Sequence, residues 1–443
     1  MAGTFFKPIA FSDYAGLHSA TGAGWKGVSM LKQLLNAVVR KGTVTVVGPR
    51  GGRITVGAGE PKVTLRIRDH AAIVQLGLHP DLRLGELYMG GRIAVEEGDI
   101  ADLMEILMAS LARARPPFTL RAVRAVRRAF KRWTQFNPAS RAKAHVAHHY
   151  DLSGKLYDLF LDRDRQYSCG YFSAPGESLD DAQIGKKRHI AAKLYLHRPD
   201  LSVLDIGSGW GGLALDLARD CDANVLGVTL SEEQFALANE RAAKAGLSER
   251  CKFEMTDYRA LAGTFDRVVS VGMFEHVGVH YYPTYFAKVR DLLKDDGVAL
   301  IHTIGRTEGP GVTNPWISKY IFPGGYTPAL SEMLPVIERS GLMVTDVEVL
   351  RIHYAETLKE WRLRFKAHWR EAVELYDERF CRMWEFYLAG AEMAFRHEHL
   401  VVFQVQLAKR VDALPITRDY MLDSERTMRF AGVEEMPRQS RAA

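Results

Sequence analysis

The stretch Leu204-Asp205-Ile206-Gly207-Ser208-Gly209-Trp210-Gly211-Gly212 sets one carboxylate directly ahead of a cluster of glycines. Glycines let a backbone turn tightly and approach a ligand closely, and a helix starting there offers unpaired N–H groups. Gly207, Gly209 and Gly212 satisfy G-x-G-x-x-G, a spacing that a dinucleotide enzyme also has. A dinucleotide site wants an acid about 20 residues further on, at the end of the second strand, to hold the ribose. Val228-Thr229-Leu230 stands there instead, and the first acid is Glu232. Asp205 closes the first strand, where a carboxylate suits a cationic or hydroxyl-bearing ligand better than a pyrophosphate.

A second group of reactive residues falls at the ends of later apolar runs. Glu275 and His276 lie in Gly272-Met273-Phe274-Glu275-His276-Val277-Gly278, and His302 lies in Ile301-His302-Thr303-Ile304-Gly305. A lone Glu or His at a strand end is ordinarily a hydrogen-bonded loop residue. Two that converge with Asp205 on one crevice point to a site. Upstream, His148-His149-Tyr150-Asp151 and Gln166-Tyr167-Ser168-Cys169 form polar and aromatic motifs. His145, His148 and His149 lack a nearby carboxylate or cysteine set, so no metal is expected. Nothing in the sequence marks Cys169 as an activated thiol.

These residues need a frame to hold them. Segments 202–206, 224–229, 251–255, 265–271, 298–304 and 343–350 read as strands, and 232–244 and 285–293 as helices between them. The alternation predicts an α/β, doubly wound, parallel sheet, whose ligands lie outside the carboxyl ends of its strands. Beyond residue 354 the chain reads as helical and aromatic-rich, with a last strand over 400–407. Ahead of this region, 43–47, 53–56 and 62–67 read as short strands around a Gly48-Pro49-Arg50-Gly51-Gly52 turn. That part carries no catalytic constellation and reads as a smaller N-terminal α+β domain.

Between the two regions, Arg113, Arg115, Arg121, Arg124, Arg127, Arg128, Lys131, Arg132, Arg141 and Lys143 occur without one acid. Leu120, Val123, Val126, Phe130 and Trp133 recur at helical spacing among them. A basic amphipathic helix over 120–133 can lie on an anionic membrane or contact nucleic acid; it can equally be a solvated interdomain helix. The expected divisions are 1–111, an N-terminal lipid-binding or dimerisation domain; 112–144, the linker helix; 145–425, the catalytic domain; and 426–443, a flexible tail.

The chain has 443 residues, 47% hydrophobic and 25% charged, with a net charge of +6. This is globular composition and excludes disordered, collagenous and disulfide-scaffold classes. The four cysteines show no paired spacing. No apolar run reaches the roughly 18 residues of a membrane span, and no signal sequence opens the chain. A soluble, cytoplasmic protein is expected.

Asp205-x-Gly207-x-Gly209 is the arrangement of S-adenosylmethionine-dependent methyltransferases, which this reading prefers to a dehydrogenase. Residues 145 to about 395 closely resemble the cyclopropane-fatty-acyl-phospholipid synthases and the related mycolic acid cyclopropane synthases. The matching segments include His149-Tyr150-Asp151-Leu152, Gln166 to Cys169, Val203 to Gly212, Gly227 to Gln234, Asp257-Tyr258-Arg259, Met273 to Gly278, His302 to Gly305, Trp316 to Gly325 and His353-Tyr354. Ser208 stands where many relatives have Cys.

The resemblance implies a Rossmann-like catalytic domain that moves the methyl of S-adenosylmethionine onto the cis double bond of an unsaturated phospholipid acyl chain. Proton loss from the new methyl then closes a cyclopropane ring. It implies a bound bicarbonate as the base, held by Cys169, Glu275, His302, Tyr354 and the backbone of Ile304. The cofactor side carries over to Tyr167, Ser168, Asp205, Gly207, Gly209, Thr229, Ser231, Gln234, Tyr258 and Arg259. The segment 305–325 is expected to be a water-excluding lid. With a lipid substrate, helix 120–133 is expected to dock on the inner face of an anionic membrane, and a homodimer is expected from the family. The rival products are methylene- or methyl-branched chains; a small-molecule N- or O-methyltransferase is the rival activity. No nucleic-acid partner is expected, because Met273-Phe274-Glu275-His276 stands where an Asn-Pro-Pro-Tyr-like motif would be.

Overall fold

The computed structural model describes residues 31–111 and 153–428, apart from residues 33, 34 and 37. The expected basic helix 120–133, the histidines at 145, 148 and 149, and the segment 149–152 lie outside the described residues. The chain divides into two compact units, residues 1–114 and 115–443.

The first unit holds a four-stranded mixed sheet. Its elements are β1 (Gly42–Val47), β2 (Arg53–Ala58), β3 (Lys62–Ile67), α1 (His70–Leu78), α2 (Pro80–Met89), β4 (Ile93–Glu97) and α3 (Ile100–Leu111). The strand order is β2-β1-β3-β4. β1 and β2 form the expected hairpin, closed by Gly48 N–H to Gly52 O at 2.8 Å. β1 pairs with β3 in parallel. Val44 and Val46 point inward between the half-buried Thr43 and Thr45, the period of two that packs one sheet face.

The second unit is built on a seven-stranded sheet. It comprises α4 (Gly154–Asp158), α5 (Leu179–Lys193), β5 (Ser202–Ile206), α6 (Gly212–Asp220), β6 (Asn224–Thr229), α7 (Glu232–Lys244), β7 (Cys251–Met255), β8 (Phe265–Val271), α8 (Tyr282–Leu292) and β9 (Leu293–Arg306). It continues with α9 (Pro315–Tyr320), α10 (Leu330–Ser340), β10 (Met343–Leu350), α11 (His353–Ala367), α12 (Trp369–Leu375), α13 (Glu378–His397), β11 (Leu400–Ala408) and α14 (Asp419–Thr427). α14 enters the expected tail, whose remainder from 429 lies outside the described residues.

The order is β10-β11-β9-β8-β5-β6-β7. β7, β6, β5, β8 and β9 run parallel, as expected. The sheet is not parallel throughout: β11 inserts antiparallel between β9 and β10. A strand arriving from the long helix α13 on the same edge reverses direction without a crossover. Neighbouring residues of one strand feed opposite cores. Leu204, Val268 and Ile301 pack with Tyr285 and Phe286 of α8, while Val203, Val269 and Leu300 pack with Ile190 of α5 and Leu217 of α6. Both faces are therefore covered, and the strand ends are left as the open edge for a site.

Candidate active site

Strand β5 delivers Asp205 to the sheet edge, where the chain turns through Gly207 to Gly211 into α6. Gly207 and Ser208 donate backbone N–H groups to Val228 O at 2.9 and 3.0 Å, pinning the turn to β6. The glycine that makes the left-handed step into the helix is Gly211, with φ +83°. Gly212 is required for another reason: a Cβ there would lie 2.2 Å from the Asp164 carboxylate. Within the G-x-G-x-x-G spacing itself, Gly207 and Gly209 also take positive φ, +82° and +53°, so the turn makes two different demands, one on backbone sign and one on close approach.

The turn forms the floor of a cavity that runs along the ends of β5, β6, β7 and β8. Tyr167, Ser168, Asp205, Gly207, Gly209, Thr229, Gln234, Tyr258 and Arg259 all line it. Ser231 does not; its Oγ accepts the Gln234 N–H at 3.4 Å and caps α7. Thr229 Oγ1 donates to Gln234 Oε1 at 2.9 Å and accepts from Ser231 N–H, so this corner is oriented from within. Arg259 lies over the Tyr258 ring and grips Asp257 through both carboxylate oxygens, at 2.9 and 2.6 Å. Burial works to raise the Asp257 carboxyl, but these bonds outweigh it and hold it below its ordinary range.

Asp205 itself is buried and forms no ion pair among the described residues. Burial pushes its carboxyl up to about 7. Lys186 of α5 shares the cavity wall, 1% exposed, and donates to Gln166 Oε1 at 2.6 Å and Ser168 Oγ at 2.8 Å. Burial pushes its ammonium down to about 8. The charge on Lys186 bears on Cys169, Asp205 and His302 alike.

None of the five residues of the second group lines this cavity, although Cys169 follows the lining Ser168 and Glu275 precedes the lining His276. Glu275, in a 3-10 turn after β8, accepts the Ile304 N–H on Oε1 at 2.6 Å. Its Oε2 is buried with no partner. Burial pushes this carboxyl up to about 7, against the Ile304 bond, which favours the charged form. The Ile304 N–H is thus spent on Glu275.

His302, two residues earlier on β9, sits in register opposite Gln404 of β11. Gln404 Nε2 lies 3.1 Å from His302 Nδ1. With the amide in this orientation Nδ1 accepts, which leaves the ring proton on Nε2. Burial, with a contribution from Lys186, pushes the His302 pKa down to about 3, so the ring is neutral.

Cys169 is buried, and burial holds its thiol far above the thiolate range. It is a neutral weak donor here, not a nucleophile. The Gly170 N–H donates to Thr357 Oγ1 at 3.0 Å, which ties the Cys169 loop to α11 one turn after Tyr354. Tyr354 stands edge-on to Trp361, which in turn stacks on Tyr167 at 5.0 Å. An aromatic wall therefore joins the two groups, continuing through Tyr157 to Trp210 of the glycine turn.

The segment 305–325 is held at both ends. Thr313 Oγ1 donates to Gly325 O at 2.7 Å, Trp316 packs edge-on against Phe386 of α13, and Phe322 meets Tyr387 of α13 and His276. Lys186 and Gln404 were not singled out from sequence, and Gln166, Trp210, Thr357 and Trp361 fell in its motifs without being given a site role. Their signal is three-dimensional: a buried polar atom facing a neighbour from a distant segment. Among the described residues no cluster fit for a metal is present.

A family model described as "Mycolic acid cyclopropane synthetase" matches residues 138–405. The chain is 38% identical over 359 residues to the "Cyclopropane-fatty-acyl-phospholipid synthase" of Escherichia coli K12, covering 80% of this chain and 90% of that one. It is 38% identical over 381 residues to a "Probable fatty acid methyltransferase" of Pseudomonas putida, covering 82% and 92%. Among solved structures, a mycolic acid cyclopropane synthase complexed with SAH and CTAB superposes with a TM-score of 0.57 at 31% identity. It covers 62% of this chain and 99% of its own.

Proposed function

This chain belongs to the mycolic acid cyclopropane synthetase family, and on that premise we propose that it converts cis double bonds of unsaturated phospholipid acyl chains into cyclopropane rings. It is an S-adenosylmethionine-dependent methyltransferase. When bound, S-adenosylmethionine supplies the electrophilic methyl that becomes the ring carbon. Bicarbonate, when held, supplies the base for ring closure. The cofactor would lie along Tyr167, Ser168, Asp205, Gly207, Gly209, Thr229, Gln234, Tyr258 and Arg259. The bicarbonate would lie against Cys169, Glu275, His302 and Tyr354.

The observation that carries the reading is the Glu275 carboxyl. One oxygen is pinned by the Ile304 N–H, and the other is buried without a partner beside the strand that bears His302. An orphaned buried oxygen is costly unless a ligand completes it. A carboxyl pushed up to about 7 retains its proton near neutrality and offers a donor to an oxyanion. Neutral His302, protonated on Nε2, offers a second donor. These groups hold an anionic base without adding a competing negative charge. An unactivated alkene is a weak nucleophile, so water must be kept away from the electrophile and the cation formed on the acyl chain must be stabilised. The faces of Trp361, Tyr167 and Tyr354 do both.

The test is to incubate the purified protein with S-adenosylmethionine, bicarbonate and vesicles of unsaturated phospholipid, then analyse the acyl chains. A gain of one CH2 at each former double bond, with cyclopropane resonances by NMR, is expected. The equal identity to a probable fatty acid methyltransferase supports one second reading, in which the cation loses its proton elsewhere. A terminal methylene or a branched methyl would then replace the ring signal.

No helix among the described residues is long and apolar enough to cross a membrane. The protein meets its substrate, in this reading, as a peripheral protein on the cytoplasmic face. The stretch holding Arg121, Arg124, Arg128 and Arg132 is the proposed docking element. Replacing these four with Gln should weaken binding to anionic vesicles and flatten its salt dependence; unchanged binding would remove this role. A homodimer, also expected from the family, is read by light scattering.

A further inference from the structure

Helix α5 buries three lysines, and two of them are paired. Lys187 meets Asp164 at 2.6 Å and Asp216 at 2.5 Å, and Lys193 meets Glu348. Lys186 forms no ion pair; its two partners are the neutral oxygens of Gln166 and Ser168. An ammonium has three donors, so one remains for something else. The nearby Asp162 attracts it through space but is not bonded to it; the Asp162 carboxylate accepts the backbone N–H groups of Asp164 and Gln166. A buried ammonium with a donor unspent and no carboxylate bonded to it invites an anion.

The other cations that line the cavity are already answered. Arg165 holds Asp158 through two bonds of 2.6 Å, and Arg259 holds Asp257 through two bonds. Among the described residues, Lys186 is the one lysine or arginine of the lining with no carboxylate bonded to it. Asp205, the one buried acid on the same wall without an ion pair, is its complement. The methionyl end of S-adenosylmethionine carries an α-ammonium and an α-carboxylate. One unpaired acid and one unpaired cation on a single wall match that zwitterion in number and sign.

We propose that Lys186 binds the α-carboxylate of the cofactor's methionyl group, with Asp205 opposite on the α-ammonium, so that the pair selects the intact amino-acid end of S-adenosylmethionine. This rests on the cavity being the cofactor site. On binding, the third donor of Lys186 takes the charged oxygen, while its Ser168 contact links it to the Cys169 loop.

The probes are S-adenosylhomocysteine and 5′-deoxy-5′-(3-aminopropylthio)adenosine, which lacks only the carboxylate, titrated by calorimetry against the full chain. The wild type should bind the second about 10- to 100-fold more weakly, the ratio expected for a buried charge-assisted hydrogen bond. Lys186→Met should lose affinity for S-adenosylhomocysteine by that factor and leave the decarboxylated probe within about 3-fold, so the preference disappears. Lys186→Arg should keep a preference. Equal binding of both probes by the wild type overturns the proposal whatever the variants do, which keeps it testable if Lys186→Met fails to fold. A preference that persists in Lys186→Met also overturns it and assigns the unpaired charge to the bicarbonate instead. Failure of the wild type to bind either probe would strike at the cofactor cavity, not at Lys186 alone.

Discussion

The proposed cofactor cavity and the proposed base site draw on strands of one sheet, yet they are built on opposite principles. Along β5 to β7, polar groups face an open cavity and mostly satisfy one another, as Thr229 does with Gln234 and Asp257 with Arg259. At the ends of β8 and β9, Glu275 and His302 are shut away, both pushed by burial toward their neutral forms. The first arrangement suits a large charged ligand that brings its own partners. The second suits a small anion and a reaction that water would ruin. The difference teaches that a site can separate binding from proton handling while sharing one aromatic wall.

The sharpest way to break the comparison is Glu275→Ala. It should cut product formation by about 10²- to 10⁴-fold, the usual span for losing a group that handles a proton. S-adenosylhomocysteine binding, measured by calorimetry, should stay within about 2-fold because the cavity is untouched. Loss of both together would mean that the two sites are one.

Asp205→Asn attacks the other side. The folded pKa of Asp205 lies near 7, above its unfolded value, so the folded protein binds its proton more tightly. The native state therefore loses stability relative to the unfolded chain as pH rises from about 4 to about 7. The variant escapes this term. Its melting temperature should gain on the wild type across that window and stop gaining above it, with a gap of a few kcal/mol at most. A gap independent of pH would show that Asp205 is ionised in the folded protein.

Gln404→Leu sharpens the comparison within the base site. Without its donor, His302 is free to move its proton to Nδ1. The imidazole ¹⁵N shifts should report mixed tautomers, and turnover should fall about 5-fold, the worth of one hydrogen bond. An unchanged Nε2–H tautomer would remove Gln404 from the mechanism. The smallest effect belongs to Ser231→Ala. As a helix cap it should cost about 1 kcal/mol of stability in a denaturant melt. S-adenosylhomocysteine affinity should hardly move; a large loss would make Ser231 a direct ligand.

Much of the catalytic domain was legible because its signals are local. β-branched runs, the glycine turn and the helices between them follow from neighbours in the chain. Asp205 declared itself by standing before Gly207 and Gly209. The direction of β11 was not legible, because apolar patterning reports a buried strand and carries no sign of its orientation. Lys186, Lys187 and Lys193 carry no sign of burial in the sequence, yet all three are buried. The carboxylates and oxygens that hold them there come from segments 18 to 155 residues away.

By itself, then, the sequence determined the order of elements, the glycine turn after the first strand of the sheet, and the residue types at the strand ends, since each depends on spacing within a few residues. Only the tertiary structure decided which of those residues are charged. It also decided which polar atoms lack partners, and that Gly211 and Gly212 are needed for different reasons. Charge state and hydrogen-bond balance depend on burial and on distant partners, and these exist only once the sheet has closed over them.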